Sequence, residues 1–390
     1  MSEPIQNQFI YEYDIVGQKL AEHIICTPAL QSYFQSDFGN VRARQYCGML
    51  HFEGVNYYIL PKIAKDEPSN LRTFIYMLMY ANDVVLSNEQ VASCANERAS
   101  IIEVFVQLFA RGLLSELRGG VYKKYTTKSE NLPVLRGKYL VNENLKYNLT
   151  KNKIYCEYDE FSEDNKLNRF FLHAVRTLQK YVQDKKLLKQ CELALDEVTR
   201  TPVDLNRLNI HFDRLNKRFE PSYETALLLL RQLIPIFDDG RRSFAFLFDM
   251  NVLFEKFVGK LCKQIEPKTE LQKEGNFGNL KLKPDIFLEG RMIIDTKYKI
   301  MKNRDDLKRD DKYQMYVYGS NFDITNTMLL YPKHREDIDE CLKLGDNHKM
   351  VKLRLASIDL GDVSEGYDEF IEIMRARARN LLYTDTKEQK

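Results

Sequence analysis

Hydrophobic and polar positions recur along the chain with spacings that predict both strands and helices. Residues 55–63 are rich in β-branched and aromatic side chains, which predicts a strand, with Pro61 at its end because proline lacks a backbone N–H. Apolar residues at 71–82 and 97–118 are spaced three and four apart, which predicts two amphipathic helices. The N-terminal part is therefore expected to be β-rich with added helices.

The middle of the chain has a helical pattern. Residues 165–237 predict three or more helices, of which the first begins after Ser162 or Asp164 as the N-cap. The composition shifts at an acidic segment, residues 158–165, and this places a domain boundary near 156–162.

A basic stretch precedes this boundary. Residues 118–153 contain Glu130 and Glu143 as their only acidic residues. The nine basic residues are Arg118, Lys123, Lys124, Lys128, Arg136, Lys138, Lys146, Lys151 and Lys153. Such a stretch is most often a solvated face, and a contact with phosphate or with a protein partner is the alternative.

Composition excludes several classes of protein. The chain has 390 residues, 44% hydrophobic and 29% charged, and a formal net charge of +2, which is typical of a globular protein and not of a disordered, coiled-coil or generally basic chain. The seven cysteines are scattered without a CxxC pair, which argues against a zinc site and a disulfide framework. No apolar run is long enough to span a bilayer, so we expect a cytoplasmic protein without membrane contact.

The first candidate for chemistry is a carboxylate within an apolar pattern. Residues 243–263 predict a helix, and on its wheel Glu255 lies between Phe244, Phe248 and Cys262. A carboxylate that faces a core is costly unless it is paired, protonated or bound to a metal. A buried salt bridge is at least as good an explanation of Glu255 by itself as a catalytic role.

A hairpin follows with a second set of charged residues. Two extended runs, 282–288 and 292–298, flank a turn signal that contains Gly290. A two-residue loop would place Asp285 and Asp295 on opposite faces, whereas a three-residue loop at 289–291 pairs them on one face. The chemistry favours the three-residue loop.

These residues have the chemistry of a metal-dependent hydrolase. Asp285, Asp295 and the backbone carbonyl of Thr296 offer the hard oxygen ligands that Mg²⁺ prefers, with Mn²⁺ as an alternative. Such an ion polarises a phosphodiester and acidifies a bound water. Lys297, two residues from Asp295 on the same strand face, is placed to orient the water or help deprotonate it, and to stabilise negative charge on the phosphate.

Downstream, residues 311–319 predict a helix and residues 327–331 a buried strand. Gln314 and Tyr318 share one helix face, where they either contact a DNA phosphate, orient the metal site, or form only the polar edge of an amphipathic helix. Lys299 joins them as a candidate contact for DNA.

The motifs together resemble a known family. Residues 243–332 resemble the PD-(D/E)xK nuclease core in the variant with a Gln-x-x-x-Tyr helix. Five further segments, in order, resemble the McrC subunits of McrBC restriction systems: VNYYILPKI (55–63), LRTFIYMLMYANDV (71–84), ENLPVLRGKYLV (130–141), YCEYDEFSEDNKLNRF (155–170) and FLFDMNVLFEKFV (246–258).

The resemblance implies an α+β or α/β multidomain fold in three parts. Residues 1–155 would form a β-rich domain that binds the ring of an AAA+ partner, residues 156–242 a helical connecting segment, and residues 243–390 the endonuclease domain, with a central mixed sheet flanked by helices. The implied partners are an McrB-like AAA+ GTPase hexamer, which reads modified cytosine, and double-stranded DNA. The basic stretch, with Lys123 and Lys124, and the strands at 41–64 are candidates for the ring contact.

Carried over residue by residue, the resemblance assigns catalysis to Asp285, Asp295 and Lys297, and matches Glu255 and Gln314 to the helix acid and the helix glutamine. Two rival hypotheses remain. The chain is an interaction protein with an inactive nuclease fold, or it is a RecB-like nuclease that works with a different motor or with none. The intact acidic residues and lysine argue against the first rival.

Overall fold

The structure is a computed structural model. It describes residues 6–37, 40–63, 67–95, 100–148, 152–238, 241–301, 303–334, 337–346, 349–361, 364 and 366–383.

Both strands and helices occur along the whole of the described chain. The strands are β1 (Gln6–Tyr11), β2 (Phe34–Asp37), β3 (Asn40–Ala43), β4 (Tyr46–Phe52), β5 (Val55–Leu60), β6 (Lys124–Leu132), β7 (Lys138–Tyr139), β8 (Ile154–Ser162), β9 (Leu233–Asp238), β10 (Arg241–Asp249), β11 (Glu270–Leu271), β12 (Gly275–Phe277), β13 (Leu280–Leu282), β14 (Ile286–Leu288), β15 (Met292–Thr296), β16 (Asn326–Pro332), β17 (Asp339–Leu344) and β18 (Val351–Ile358). The helices are α1 (Gln18–Cys26), α2 (Glu67–Ala81), α3 (Asn88–Ala95), α4 (Ile101–Arg118), α5 (Val141–Tyr147), α6 (Lys166–Leu178), α7 (Lys186–Ala194), α8 (Glu220–Gln232), α9 (Met250–Ile265), α10 (Arg309–Phe322) and α11 (Tyr367–Tyr383). The mixed α+β class is therefore confirmed.

Two compact units divide the chain. Residues 1–101 together with 232–390 form the first unit, and residues 102–231 form the second. These boundaries differ from the predicted ones after residues 155 and 242, because β9 and β10 return to the first unit and β10 pairs with β4. The assignment of functions to residues 1–155, 156–242 and 243–390 stays a prediction.

A five-stranded sheet of the first unit has the order β1-β5-β4-β10-β9. Strand β5 and the proline that follows it, Pro61, agree with the prediction for residues 55–63. The β4–β5 turn has φ values of 49° at Glu53 and 79° at Gly54, the positive values that a tight two-residue hairpin turn requires.

The predicted helix over residues 243–263 is wrong in its first part. Residues up to Asp249 belong to β10, which lies between β4 and β9 and is buried along most of its length. The helix α9 begins at Met250, where the Asp249 side chain accepts a hydrogen bond from the N–H of Asn251. A strand buried on both faces is apolar at successive positions, and such a continuous apolar run also fits the buried side of a helix. Phe244 and Phe248 consequently do not flank Glu255 on a helix face.

A six-stranded mixed sheet, also in the first unit, has the order β11-β14-β15-β16-β18-β17. Strands β15, β16 and β18 run parallel, whereas β11, β14 and β17 pair antiparallel with their neighbours. Met315 and Tyr318 of α10 pack in one hydrophobic cluster with Ile293 of β15 and Leu329 of β16. This packing fixes α10 over the strands whose ends carry the candidate site.

The second unit combines helices with a small sheet of order β6-β8-β7. Residues 97–99 of the predicted helix lie outside the described residues, and the rest forms α4. Three helices, α6, α7 and α8, follow within residues 165–232. The N-cap of α6 is Asn165, which accepts a hydrogen bond from Asn168 N at 3.2 Å, and not Ser162 or Asp164 as predicted.

No helix in the described part of the chain combines the length and the apolar character needed to cross a membrane.

A buried carboxyl group lies in the first unit beside the segment that follows β15. Glu12 is 2% exposed, and its Oε1 accepts hydrogen bonds from Tyr298 Oη and Lys62 N, each at 2.8 Å. Its Oε2 has no hydrogen-bond partner among the described residues. Burial raises the pKa of Glu12 from 4.5 to about 7, although the bonds from Lys62 and Tyr298 oppose the shift.

The pH dependence of Glu12→Gln follows from this shift. The folded protein binds the proton more tightly than the unfolded chain, so wild-type stability falls as the pH rises from 4.5 to about 7. Glu12→Gln has no carboxyl group to titrate at this position, so its stability does not fall in this way. The difference in free energy of unfolding, variant minus wild type, should therefore increase by up to about 3 kcal/mol between pH 4.5 and about 7. Urea titrations at several pH values measure it. Glu22→Gln, at an exposed carboxylate, is the matched control, and equal pH dependence in both variants would contradict the assignment.

Candidate functional site

The β14–β15 hairpin has the predicted register. A three-residue loop at 289–291 pairs Ile286 with Ile294 and Leu288 with Met292, and this places position 285 opposite position 295. Gly290 has a φ of 65°, the positive value expected for the turn. The two aspartates therefore come to the same end of neighbouring strands.

Asp285 is oriented by the strand opposite it. Its Oδ2 accepts hydrogen bonds from the Thr296 N–H at 2.8 Å and from Thr296 Oγ1 at 2.9 Å. Thr296 thus lies at the site as predicted, and its observed role is to hold Asp285. Its backbone carbonyl as a metal ligand stays a prediction.

Asp295 is the most deeply buried acid of the site, with 2% of its surface exposed. Lys297 Nζ lies 2.6 Å from Asp295 Oδ2, and Gln314 Nε2 donates to Asp295 Oδ1 at 3.0 Å. Lys297 Nζ also donates to Gln314 Oε1 at 3.1 Å. The structure therefore brings together Asp295, Lys297 and Gln314, as the sequence predicted.

The structure favours one of the alternatives for the α10 helix. Tyr318 is buried, its Oη donates to the Lys283 carbonyl at 3.2 Å, and Gln314 Nε2 donates to that Oη at 2.9 Å. Gln314 thus contacts Asp295 and Lys297, with Tyr318 buried behind it, which fits the orienting role, and a contact of either residue with DNA stays a prediction. The helix does not end at Gly319 but continues to Phe322. A side chain at 319 would lie 2.8 Å from the Ile324 carbonyl, so close packing accounts for the glycine.

Lys299 is engaged within the protein. Its Nζ lies 2.6 Å from Asp311 Oδ2 at the start of α10, so its contact with DNA stays a prediction.

Glu255 faces the aspartates from α9. The side-chain amide of Gln272 donates to Glu255 Oε1 and, at 3.4 Å, to Asp285 Oδ1. Glu255 therefore lies on the same side as the catalytic candidates, as its metal-site interpretation requires. Sequence reasoning missed Gln272, because a glutamine in a short loop carries no motif.

The electrostatics of the site are those of a cluster of like charges. Burial and the charge of Asp285 raise the pKa of Asp295 above its usual range, against the effect of Lys297. Burial and the charge of Asp285 also raise the pKa of Glu255. For Lys297, burial lowers the pKa, but the charges of Asp295 and its acidic neighbours outweigh this and raise it, so the ammonium stays protonated.

The donor set fits a hard divalent cation. Asp285, Asp295 and Glu255 supply carboxylate oxygen atoms, and a bound cation would favour the ionised forms of Asp295 and Glu255, whose pKa values are raised. Among the described residues, no three acidic, histidine or cysteine side chains are drawn together closely enough to enclose an ion by themselves. An ion at Asp285 and Asp295 would therefore also need backbone or water oxygens.

Of the candidate partner contacts, the strands at 41–64 belong to the first unit, and the basic stretch with Lys123 and Lys124 belongs to the second. Lys124 is the first residue of β6 and is exposed, and Lys123 Nζ lies 3.0 Å from Glu163 Oε1. Other cations of the basic stretch pair with the acidic strand β8, for example Arg136 with Glu160 at 3.4 Å. Much of the stretch is thus locally neutralised, and its residue Lys151 lies outside the described part.

Comparison with known proteins decides the family. The model of the family "McrBC 5-methylcytosine restriction system component" matches residues 41–332. The chain belongs to this McrBC family. This confirms the resemblance found in the sequence, and all the candidate site residues lie within the matched range. No curated protein matches the chain.

Two solved structures resemble this McrBC component. A refined half-complex from the tetradecameric assembly of *Thermococcus gammatolerans* McrB AAA+ hexamers with bound McrC contains a chain that is 23% identical, with a TM-score of 0.60 over 96% of this chain and 100% of that one. The cryo-EM structure of the *Thermococcus gammatolerans* McrBC complex matches with 26% identity and a TM-score of 0.47, over 66% of this chain and 87% of that one. The first match shows that the fold is shared over nearly the whole chain.

The position of Glu255 predicts the effect of removing its charge. Without metal, the melting temperatures of Glu255→Gln and Glu255→Leu should equal or exceed that of the wild type. Both changes remove a half-buried negative charge that the neighbouring aspartates repel. Both should reduce the rise in melting temperature that Mg²⁺ causes and slow DNA cleavage. Melting curves with and without Mg²⁺ and metal-titrated cleavage measure these effects.

Glu289→Gln, at an exposed carboxylate in the loop of the same hairpin, is the matched control. Marked destabilisation by both Glu255 variants with normal cleavage would instead show that Glu255 has a structural role.

Proposed function

We propose that this McrBC component is a metal-dependent DNA endonuclease subunit that acts in the cytoplasm, and that its mixed sheet with α9 and α10 forms a PD-(D/E)xK nuclease core. The observation that carries the proposal is the hairpin register, which places Asp285 opposite Asp295 with Lys297 and Gln314 around them. The membership in a restriction-system family supports the same function.

The acidic residues would hold the ion. Asp285 and Asp295 would bind Mg²⁺, or Mn²⁺, with the Thr296 carbonyl as a further ligand and Glu255 beside them. When bound, the ion supplies Lewis-acid activation of the phosphodiester. Thr296 occupies Oδ2 of Asp285, so Oδ1, which accepts from Gln272, is the oxygen that would turn toward the ion.

Lys297 would act as a cation. Because its raised pKa keeps Nζ protonated, it suits the stabilisation of negative charge on the phosphate better than proton abstraction. Gln314 receives a hydrogen bond from that ammonium and gives one to Asp295, and so fixes both groups in one arrangement. Such fixed donors need no reorganisation when charge develops.

The partner would be the hexameric ring of an McrB-like AAA+ GTPase, whose GTP hydrolysis the chain would stimulate. The similar *Thermococcus gammatolerans* assembly, which contains McrB AAA+ hexamers with bound McrC, supports this. In the second unit, Tyr125 and Phe161 form an exposed aromatic pair with ring centroids 5.0 Å apart, next to Lys124 on β6. Exposed aromatic and cationic side chains together are typical of an interaction surface.

Loss of one ligand charge tests the nuclease. Asp295→Asn should reduce cleavage of methylated plasmid to background in the presence of the GTPase partner, while assembly with the partner persists, because the shape of the side chain is kept and its charge is lost. Cleavage gels and size-exclusion chromatography measure the two. Asp310→Asn, at an exposed acid of α10, is the matched control.

Full cutting by Asp295→Asn would overturn the nuclease assignment. If the wild type stimulates the GTPase but does not cleave DNA, the result would favour an interaction protein with an inactive nuclease fold. If the wild type cleaves DNA without the GTPase, the result would favour a nuclease that works with a different motor or with none.

Charge reversal tests the partner contact. Lys123→Glu with Lys124→Glu should weaken ring binding or GTPase stimulation several-fold without changing the melting response to Mg²⁺, because the second unit does not carry the acidic site. Binding is measured by light scattering and stimulation by phosphate release. Lys186→Glu with Lys189→Glu, at exposed positions of the same unit, is the matched control. Unchanged binding and unchanged stimulation would refute this placement.

A further inference from the structure

Gln272 lies in a row with the two aspartates of the candidate site. The edge strand β11 pairs Leu271 with Ile286, and the same register continued by one residue places Gln272 opposite Asp285. The Gln272 N–H donates to the Asp285 carbonyl at 2.8 Å. Since Asp285 lies opposite Asp295 in turn, three neighbouring chain segments bring Gln272, Asp285 and Asp295 to one end of the sheet.

The side chain of Gln272 lies between two acids from different elements. Its Nε2 donates to Glu255 Oε1 from α9 and to Asp285 Oδ1 at 3.4 Å. Burial and, after it, the like charge of Asp285 raise the pKa of Glu255, while the hydrogen bond from Gln272 lowers it. An amide NH₂ group carries partial positive charge on both hydrogens, so it offsets part of the repulsion between the two carboxylates.

The backbone of Gln272 is strained. Its φ is 53°, a value in the left-handed region that glutamine seldom adopts. Such a conformation costs free energy and persists only where the surroundings hold it. Here the hydrogen bond to the Asp285 carbonyl fixes the backbone, and the strained conformation points the amide at the acids.

We propose that Gln272 is a positioning residue that holds Glu255 and Asp285 together when no divalent cation is bound, and that a cation displaces its amide. The inference rests on the proposed nuclease function, since it presupposes a metal at these acids. Gln272 stabilises the metal-free form only. Its hydrogen bonds to the acids therefore compete with the ion and set the concentration at which the site fills.

Two substitutions of Gln272 distinguish the contribution of its side-chain amide from that of its backbone conformation. Gln272→Ala and Gln272→Gly both remove the side-chain amide, but only glycine relieves the positive φ. Melting curves of the full chain in EDTA and in Mn²⁺ should show a larger Mn²⁺-induced rise for both variants than for wild type. Calorimetric titration with Mn²⁺ should give an affinity about tenfold higher, the factor expected when hydrogen bonds to charged groups are lost from the metal-free form alone.

An isosteric change sharpens the test. Gln272→Glu keeps the shape but replaces the donor with a third negative charge, so it should lower the melting temperature strongly in EDTA and recover in saturating Mn²⁺. Gln264→Glu, on α9 and away from the acids, is the matched control, and its melting temperature should change equally in both conditions.

Two outcomes overturn the proposal and differ from each other. If Mn²⁺ stabilises wild type, but the Gln272 variants lose the same stability with and without Mn²⁺ and keep the wild-type affinity, then Gln272 is only structural while the metal site stands. If Mn²⁺ neither binds nor stabilises wild type, then the metal site itself fails, and the role of Gln272 with it.

Discussion

Repulsion between carboxylates gathered at one end of the mixed sheet is the constraint on which the rest of the site depends. Burial removes water from Asp295, and the charge of Asp285 disfavours its ionisation further. Nitrogen donors compensate at each acid: the Thr296 N–H at Asp285, Lys297 and Gln314 at Asp295, and Gln272 at Glu255. The site is thus a set of acids kept close by donors from different elements, which is the arrangement that a cation would complete.

The sheet end could be predicted from the sequence because the period of a strand was combined with the chemistry that a metal site requires. The period of two along a strand puts Asp295 and Lys297 on one face, and a three-residue loop is needed to bring Asp285 to that face. The structure has this loop and this register. The helix face of Gln314 and Tyr318 followed from spacing alone, but the choice between DNA contact and support of the site needed the burial of Tyr318.

Other parts could not be predicted, for physical reasons. The start of α9 was misplaced because β10 is buried on both faces and shows no alternation of polar and apolar residues. Gln272 has no signal in the sequence, since its role depends on a positive φ and on pairing with Asp285 across the sheet. Glu12 likewise becomes notable only through its contact with Tyr298, which is distant along the chain.

Segments that are far apart in the sequence belong to the same compact unit of the fold. Strand β4 has β5 on one side and β10 on the other, so the sheet that begins within the N-terminal residues is completed by residues 241–249, after the whole second unit. A fragment of residues 1–155 would lack β9 and β10 and would leave an edge of β4 unpaired and exposed to aggregation. The N-terminal strands also share the compact unit of the acidic site, with Glu12 bonded to Tyr298, three residues beyond Asp295. The proposed partner contact and the proposed metal site would therefore be separated by point substitutions in the second unit and at the sheet end, whereas truncation at a sequence boundary would disrupt the five-stranded sheet of the first unit.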